Sequence, residues 1–344
     1  MNENFSQSIN LMKVIGCFAV ILIHSCIFDF KEINNQWWAL NFYNSISRFA
    51  VPVFIMISGA LLINNKYSLK EFLVKRIIRI IPALVFWSLI YIIWIDYDSL
   101  SVLSFIRRII SGPVYYHLWY LYAMIGVLLF SPFLSIIFNH SDKTLKSYFL
   151  LIWFFIYSLF PILKNFFNLK TNFIDLYELY SFFGLIGWYF LGAFLRDFII
   201  NNDNIGNKYG YLIIFLISSF LIMISTFFYS VSLNVISEDS GITSPIFFER
   251  NSPLIIVSSV SIFIFLSKIS INRNSYIYII KNISSFSLGI YCLHLIILRE
   301  LLNEITIYFD NRWLSIPILT IIVFILCIAI VNILSRIRIL RLVL

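Results

Sequence analysis

Charged residues are scarce in this chain of 344 residues. Asp, Glu, Lys and Arg together make up 12% of it, whereas hydrophobic residues make up 60% and aromatic residues 19%. An ordinary soluble domain carries about 25% charged residues, and a single hydrophobic core stops growing near this length. The composition therefore excludes an ordinary soluble fold. It predicts a chain that lipid covers, with one membrane domain over 1–344 and no appended soluble domain.

The chain also has few cysteines and no cluster of charged residues of the kind that binds nucleic acid. The four cysteines, Cys17, Cys26, Cys292 and Cys327, all fall inside apolar stretches without metal-ligand or paired extracellular spacing, so we expect small buried apolar residues. No pair of His or acidic residues shows ligand spacing within a span, so we expect no metal site. The net charge is +8, but the basic residues sit in short runs between apolar segments. That pattern suits membrane topology signals and argues against a nucleic-acid partner.

Apolar runs of spanning length recur along the whole sequence. A spanning helix needs about 20 mostly apolar residues, and the pattern predicts an all-α integral membrane protein with about ten transmembrane helices. The predicted spans are 9–28, 45–63, 77–95, 115–138, 147–163, 178–199, 209–231, 252–267, 277–298 and 316–335. The larger share of Lys and Arg falls on the side of the termini. We therefore expect both termini in the cytoplasm and the protein in the cell (inner) membrane.

The first span holds two ionisable residues, Lys13 and His24. They are 11 residues apart, which places them on one helix face about 16 Å apart along the axis. Ionisable groups at membrane depth cost roughly 2.5–3.5 kcal/mol each on insertion scales. The pair is either functional, or Lys13 extends toward the interface and His24 is a hydrogen-bonding partner between helices.

Two further histidines fall at a similar predicted depth. His117 opens the fourth span near the outer surface, and His294 lies in the outer half of the ninth span, on the same face as Tyr291. Together with the first-span histidine they predict a shared pocket. Trp119 and Tyr120 follow His117 and suit the faces of sugars, although such residues also serve as membrane-interface anchors.

Arg76 and Arg79 share a face at the mouth of the third span, at the end of the most basic predicted cytoplasmic loop. They are either anchors for anionic lipid or a clamp for a phosphorylated cytosolic ligand. Ser58, Gly59 and Ala60 interrupt the apolar run of the second span. Such small residues either form helix-packing contacts or let a ligand approach the backbone.

Five segments, in order along the chain, resemble acyltransferase family 3, which includes bacterial enzymes that O-acetylate surface polysaccharides. Lys13 and His24 match the family's motif of a basic residue, ten residues and a histidine. The other four matching segments are 53–62, with its Ser-Gly pair, 76–82, an Arg-x-x-Arg-x-x-Pro motif, 117–122 and 287–294. The chain departs from the family pattern in two ways. Lys replaces the more common Arg at position 13, and we expect no soluble C-terminal domain of the kind that some members carry.

The resemblance implies a membrane-bound O-acyltransferase. The acyl group, usually acetyl, would come from acyl-coenzyme A in the cytosol, as a co-substrate and not as a permanently bound cofactor. The acceptor would be a hydroxyl of a lipid-linked or cell-surface glycan. The rival interpretation is a transporter or flippase for a glycan lipid.

We expect three groups of site residues. His24, with His294 and Tyr291, would be catalytic, and His24 would act either as a general base or through an acyl-histidine intermediate. The donor-binding residues would be Lys13, Ser58, Arg76 and Arg79. The acceptor-binding residues would be His117, Trp119 and Tyr120. The sequence predicts neither the acyl chain, nor the acceptor sugar, nor the oligomeric state.

Overall fold

The computed structural model describes residues 3–26, 33–64, 68–96, 101–166, 179–202, 205–236, 246–308 and 311–344, and these residues contain no β-strand. The helices are α1 Glu3–Ser25, α2 Asn35–Ser47, α3 Ala50–Leu62, α4 Leu69–Ile95, α5 Val102–Ser111, α6 Trp119–His140, α7 Lys143–Trp153, α8 Phe160–Phe166, α9 Leu179–Asn201, α10 Lys208–Ile236, α11 Pro253–Ser267, α12 Asn274–Ser285, α13 Ser287–Tyr308 and α14 Arg312–Leu334. A π-helical stretch, Phe154–Leu159, joins α7 to α8, and single 3₁₀ turns occur at Tyr116–Leu118, Ile246–Phe248 and Leu340–Leu342.

The prediction of an all-α multi-pass membrane protein is confirmed. Within the described ranges, 8 helical segments are long and apolar enough to cross a membrane, and α12 with α13 makes a ninth if this pair, bent by 66°, is one span. The remaining predicted span, 178–199, coincides with α9, which is kinked at Gly184.

The second span is longer than predicted. Helices α2 and α3 together form one apolar segment, Asn35–Leu62, whereas the sequence pattern placed its start at residue 45. The Asn34 side chain caps the first turn by accepting hydrogen bonds from two backbone N–H groups. The polar residue Asn41 is fully buried and donates to the backbone oxygen of Met223, which lets the helix continue through polar sequence. Arg48 therefore lies near the middle of this span.

Apolar side chains face both inward and outward, as expected for a protein in lipid. Two large buried clusters fill the interior. One includes Met12, Val53 and Trp188, and the other includes Trp87 and Val323. The outer surface carries large exposed apolar side chains such as those of Phe133, Leu151 and Phe228. Exposing so much apolar surface to water is unfavourable, so lipid must surround this fold.

Helices α3 and α9 approach one another very closely at two glycines. A β-carbon at Gly59 would lie 1.7 Å from the backbone oxygen of Tyr189, and one at Gly192 would lie 2.0 Å from that of Met56. Only glycine fits at such a crossing, which is a common device in membrane helix pairs. Gly59 is therefore a packing residue, one of the two roles open for this segment. The four cysteines are free and buried, as predicted.

Candidate active site

Three histidines from three parts of the chain meet in the interior. His24 lies in the last turn of α1, His117 lies in the 3₁₀ turn before α6, and His294 lies in α13. The ring centroids of His24 and His294 are 5.1 Å apart, and those of His117 and His294 are 5.4 Å apart. The fold thus brings together side chains up to 270 positions apart in sequence. His117 and His294 are fully buried, and His24 is half-buried.

Backbone carbonyls orient two of these rings. Nδ1 of His294 lies 2.5 Å from the Tyr291 oxygen, and Nε2 of His117 lies 3.4 Å from the Cys292 oxygen. A carbonyl only accepts hydrogen bonds, so this pattern assigns the protons to those two nitrogens. Nε2 of His294 and Nδ1 of His117 are then proton acceptors, and in the described part of the chain both are buried without a partner.

His24 has a different surrounding. Its Nδ1 lies 3.4 Å from the hydroxyl of Tyr116, and its ring is 5.5 Å from the Tyr116 ring. Unlike His294, it lines a cavity, whose volume is about 450 Å³. That volume lies within the roughly 300–1,000 Å³ of typical ligand pockets. We call this space the histidine cavity. Its lining includes His24, His117, Trp119, Arg48 and Arg250.

A second void, of about 230 Å³, lies beside the first. We call it the basic cavity, because Lys13, Arg76 and Arg79 line it, together with Ser58 and Tyr120. Lys13 and Arg76 are half-buried, whereas Arg79 is exposed. Nε of Arg76 is buried and has no hydrogen-bond partner among the described residues. A buried, unsatisfied guanidinium donor is costly, and it suits a site that an anionic ligand completes.

The two cavities share a wall. Val20, Val51 and Tyr291 line both of them. The Tyr291 hydroxyl donates to the backbone oxygen of His117, which ties α13 to the turn before α6. The Tyr291 ring also lies 5.3 Å from that of Tyr120 on the side of the basic cavity.

The structure divides the residues that the sequence grouped. Trp119 faces the histidine cavity, but its neighbour Tyr120 faces the basic cavity. His294 lines neither cavity, but its ring contacts the rings of His24 and His117. Ser58 lines the basic cavity, and its hydroxyl donates to the Phe54 oxygen at 3.1 Å. Its neighbour Gly59 instead lies at the contact with α9.

Sequence reasoning missed two arginines of the histidine cavity, Arg48 and Arg250. Arg48 falls at the start of the predicted span 45–63 and was counted with the basic residues outside the membrane, and Arg250 falls between the predicted spans 209–231 and 252–267. In the structure the first of these spans begins at Asn35, so Arg48 lies near its middle, and the rule that flagged Lys13 then applies to Arg48 as well. Nothing in the sequence near Arg250 indicates that its side chain lines the histidine cavity.

Two open voids on either side of a tyrosine, one basic and one lined with histidines, suit transfer of a group from a phosphorylated donor to a second substrate. The sequence model of acyltransferase family 3, described as an acyltransferase domain, matches residues 6–332. The chain belongs to acyltransferase family 3. It is a membrane acyltransferase. No curated protein and no solved structure matches this chain.

Proposed function

We propose that this acyltransferase moves an acyl group, most simply acetyl, from cytosolic acyl-coenzyme A to a hydroxyl of a lipid-linked or cell-surface glycan. The observation that carries the proposal is the pair of adjoining cavities, because one offers cations for a donor's phosphates and the other offers imidazoles for a hydroxyl. Their common wall at Tyr291 gives the acyl group a short path between them.

The basic cavity is the proposed donor site. Coenzyme A carries several phosphate groups, and Arg binds phosphate through two parallel hydrogen bonds. The unpartnered Nε of Arg76 and the neighbouring Arg79 supply such donors. Lys13, which lines the same void, holds the thioester end. The alternative role as lipid anchors suits the exposed Arg79 better than the half-buried Arg76.

The histidine cavity is the proposed acceptor site. A neutral imidazole of His24 takes the proton of the acceptor hydroxyl as its oxygen attacks the thioester carbonyl. The new C–O bond forms, the C–S bond breaks, and coenzyme A leaves as a thiolate that receives a proton. In the acyl-histidine variant the imidazole nitrogen attacks first and the hydroxyl then displaces it. The His294 ring contacts that of His24, and the His117 ring contacts that of His294. Trp119 offers an aromatic face to a sugar.

The function is tested by mass spectrometry of surface glycans from cells with and without the gene. We expect glycans from cells that carry the gene to be heavier by one acyl group at a defined position. Purified protein in lipid nanodiscs should transfer label from acetyl-coenzyme A to the same glycan. Normal acylation in cells without the gene would overturn the proposal. Loss of the glycan itself from the surface, with no change in its acylation, would favour a transporter.

The orientation of the protein in the membrane is tested separately, with single cysteines introduced at positions 65 and 311. Asn65 lies outside the described residues, and Asn311 caps α14. With cytoplasmic termini, Asn65→Cys stays protected from an impermeant thiol reagent in intact cells, whereas Asn311→Cys is labelled. The opposite labelling would place the basic cavity away from cytosolic acyl-coenzyme A.

A further inference from the structure

Two arginines line the histidine cavity, although the chemistry of hydroxyl acylation requires no cation there. Arg48 belongs to the apolar span Asn35–Leu62, and Arg250 belongs to the span Ile246–Ser267. A guanidinium within an apolar span is costly and marks a functional site by default. The two arginines come from segments about 200 residues apart in sequence, so only the tertiary fold makes them neighbours of one void.

The Arg48 side chain is held in place but is incompletely satisfied. Its Nη1 donates to the backbone oxygen of Phe248 at 3.3 Å, and its central carbon lies 4.5 Å from the Phe248 ring centroid. Its Nε is buried and has no hydrogen-bond partner within the described part of the chain. Buried guanidinium donors are normally paired. Arg48 also lines the cavity, so a guanidinium that keeps one unpaired donor lies beside the space open to a ligand.

Arg250 is held by a different contact. Its central carbon lies 4.0 Å from the ring centroid of Trp119. A cation–π contact fixes a guanidinium without using its N–H groups, and among the described residues these groups have no acceptor, so they can bind a ligand. Glu249 also lines the cavity, but its side chain is exposed and forms no salt bridge with Arg48 or Arg250 among the described residues. The charged side chains of this cavity thus leave an excess of positive charge.

We propose that the histidine cavity binds an anionic group of the acceptor, a carboxylate or a phosphate, between Arg48 and Arg250. The inference rests on the proposed function for the word acceptor, whereas the anion site itself rests on the two arginines. Guanidinium groups bind both kinds of oxyanion through paired hydrogen bonds. The anion anchors the acceptor, and His24 in the same cavity faces a neighbouring hydroxyl. The substrate class is therefore an acidic saccharide, or a saccharide joined to a lipid phosphate.

The test is a binding titration of protein in nanodiscs of phosphatidylcholine, which has no net charge and does not compete. Three probes are compared: methyl glucuronide, the neutral methyl glucoside of the same shape, and a short polyprenyl diphosphate. We expect at least one anionic probe to bind about tenfold or more tightly than the glucoside. Preference for the glucuronide identifies an acidic sugar, and preference for the diphosphate identifies a lipid phosphate.

Variants show where the anion binds. Arg48→Gln and Arg250→Gln should each weaken the anionic probe roughly ten- to a hundredfold and leave glucoside binding unchanged, while Arg48→Lys should retain part of the affinity. The matched control is Arg299→Gln. It also removes a guanidinium that lies over an indole, that of Trp94 at 5.1 Å, but it does not line the cavity.

Three results would overturn the inference. They are equal binding of charged and neutral probes, anion affinity unchanged in both arginine variants, and an equal loss in Arg299→Gln. The titration contains no acyl-coenzyme A. Arginine-dependent anion binding by a protein that shows no acyl transfer would therefore overturn the proposed function and keep the anion site.

Discussion

Replacing His24 by Gln separates a catalytic histidine from a packing histidine. Gln has a similar reach and can keep a hydrogen bond to Tyr116, but it cannot accept and return a proton at neutral pH. Within the described part of the first span, no Asp or Glu lies near His24 that could take over this proton. We therefore expect His24→Gln to fold and to bind donor, but to fail in transfer.

The two effects differ in size. The hydrogen bond between His24 and Tyr116 is long, at 3.4 Å, and the Tyr116 side chain is 49% exposed. Losing such a bond costs about 1 kcal/mol of stability at most. Losing a general base lowers the rate by about 10² to 10⁴, which is about 2.7–5.5 kcal/mol in the activation barrier. The loss in catalysis should therefore be far larger than the loss in stability.

The assay measures transfer of labelled acetyl groups to the glycan, together with thermal unfolding and binding of acetyl-coenzyme A, in nanodiscs. His140→Gln is the matched control, since His140 is an exposed histidine at the end of α6 and lines neither cavity. It should transfer at the normal rate. Incubation with labelled acetyl-coenzyme A alone distinguishes the two mechanisms, because only an acyl-histidine intermediate leaves label on the native protein and none on His24→Gln.

Transfer within a factor of a few of normal by a folded His24→Gln protein would refute the reasoning. The search for the proton acceptor would then move to His117 and His294, whose Nδ1 and Nε2, respectively, have no hydrogen-bond partner among the described residues. A large loss in the His140→Gln control would instead show that the assay reports on folding and not on chemistry.

Two further predictions concern the donor and the helix packing. Arg76→Ala should weaken binding of coenzyme A by about ten- to a hundredfold, from the loss of roughly 1.5–3 kcal/mol of charge-assisted phosphate contact, while Lys70→Ala, an exposed change on the same helix outside the cavity, should not. Equal affinities in a calorimetric titration would return Arg76 to a role as lipid anchor. Gly59→Ala should destabilise the protein by about 1–3 kcal/mol or more in thermal unfolding, because its β-carbon would lie 1.7 Å from a backbone oxygen of α9. Gly126→Ala, where nothing lies within 4 Å, is the control, and equal melting temperatures for the two variants would contradict the close crossing.

Much of the site could be predicted because its residues are ionisable, whereas the sequence around them is apolar. Lys13, His24 and Arg76 are polar groups in or beside apolar spans, and burying them in lipid costs free energy unless they have a function or a partner. The spacing of Lys13 and His24 on one helix also fixed their common face, since helix geometry is local. The role of each residue remains a prediction until the variants are measured.

The sequence alone could not divide these residues between two voids. Trp119 and Tyr120 are adjacent, yet successive residues at the start of a helix point about 100° apart, and here they face different cavities. Likewise Tyr291 was paired with His294 as a neighbour on one face. Its place in the wall between the cavities depends on where the segments around Val20 and Val51 pack against it.

The sequence by itself determined the class of solvent and the class of fold. Apolar runs of spanning length with few charges have only one stable form in lipid, because each backbone N–H and C=O must be satisfied within the helix. Tertiary structure alone decided which helices meet. Lipid covers an apolar helix face as well as another helix does, so contact partners depend on close fits such as that of Gly59 against the backbone of α9. Those fits brought His24, His117 and His294 together and placed Arg48 and Arg250 on one cavity, which no periodicity in the chain encodes.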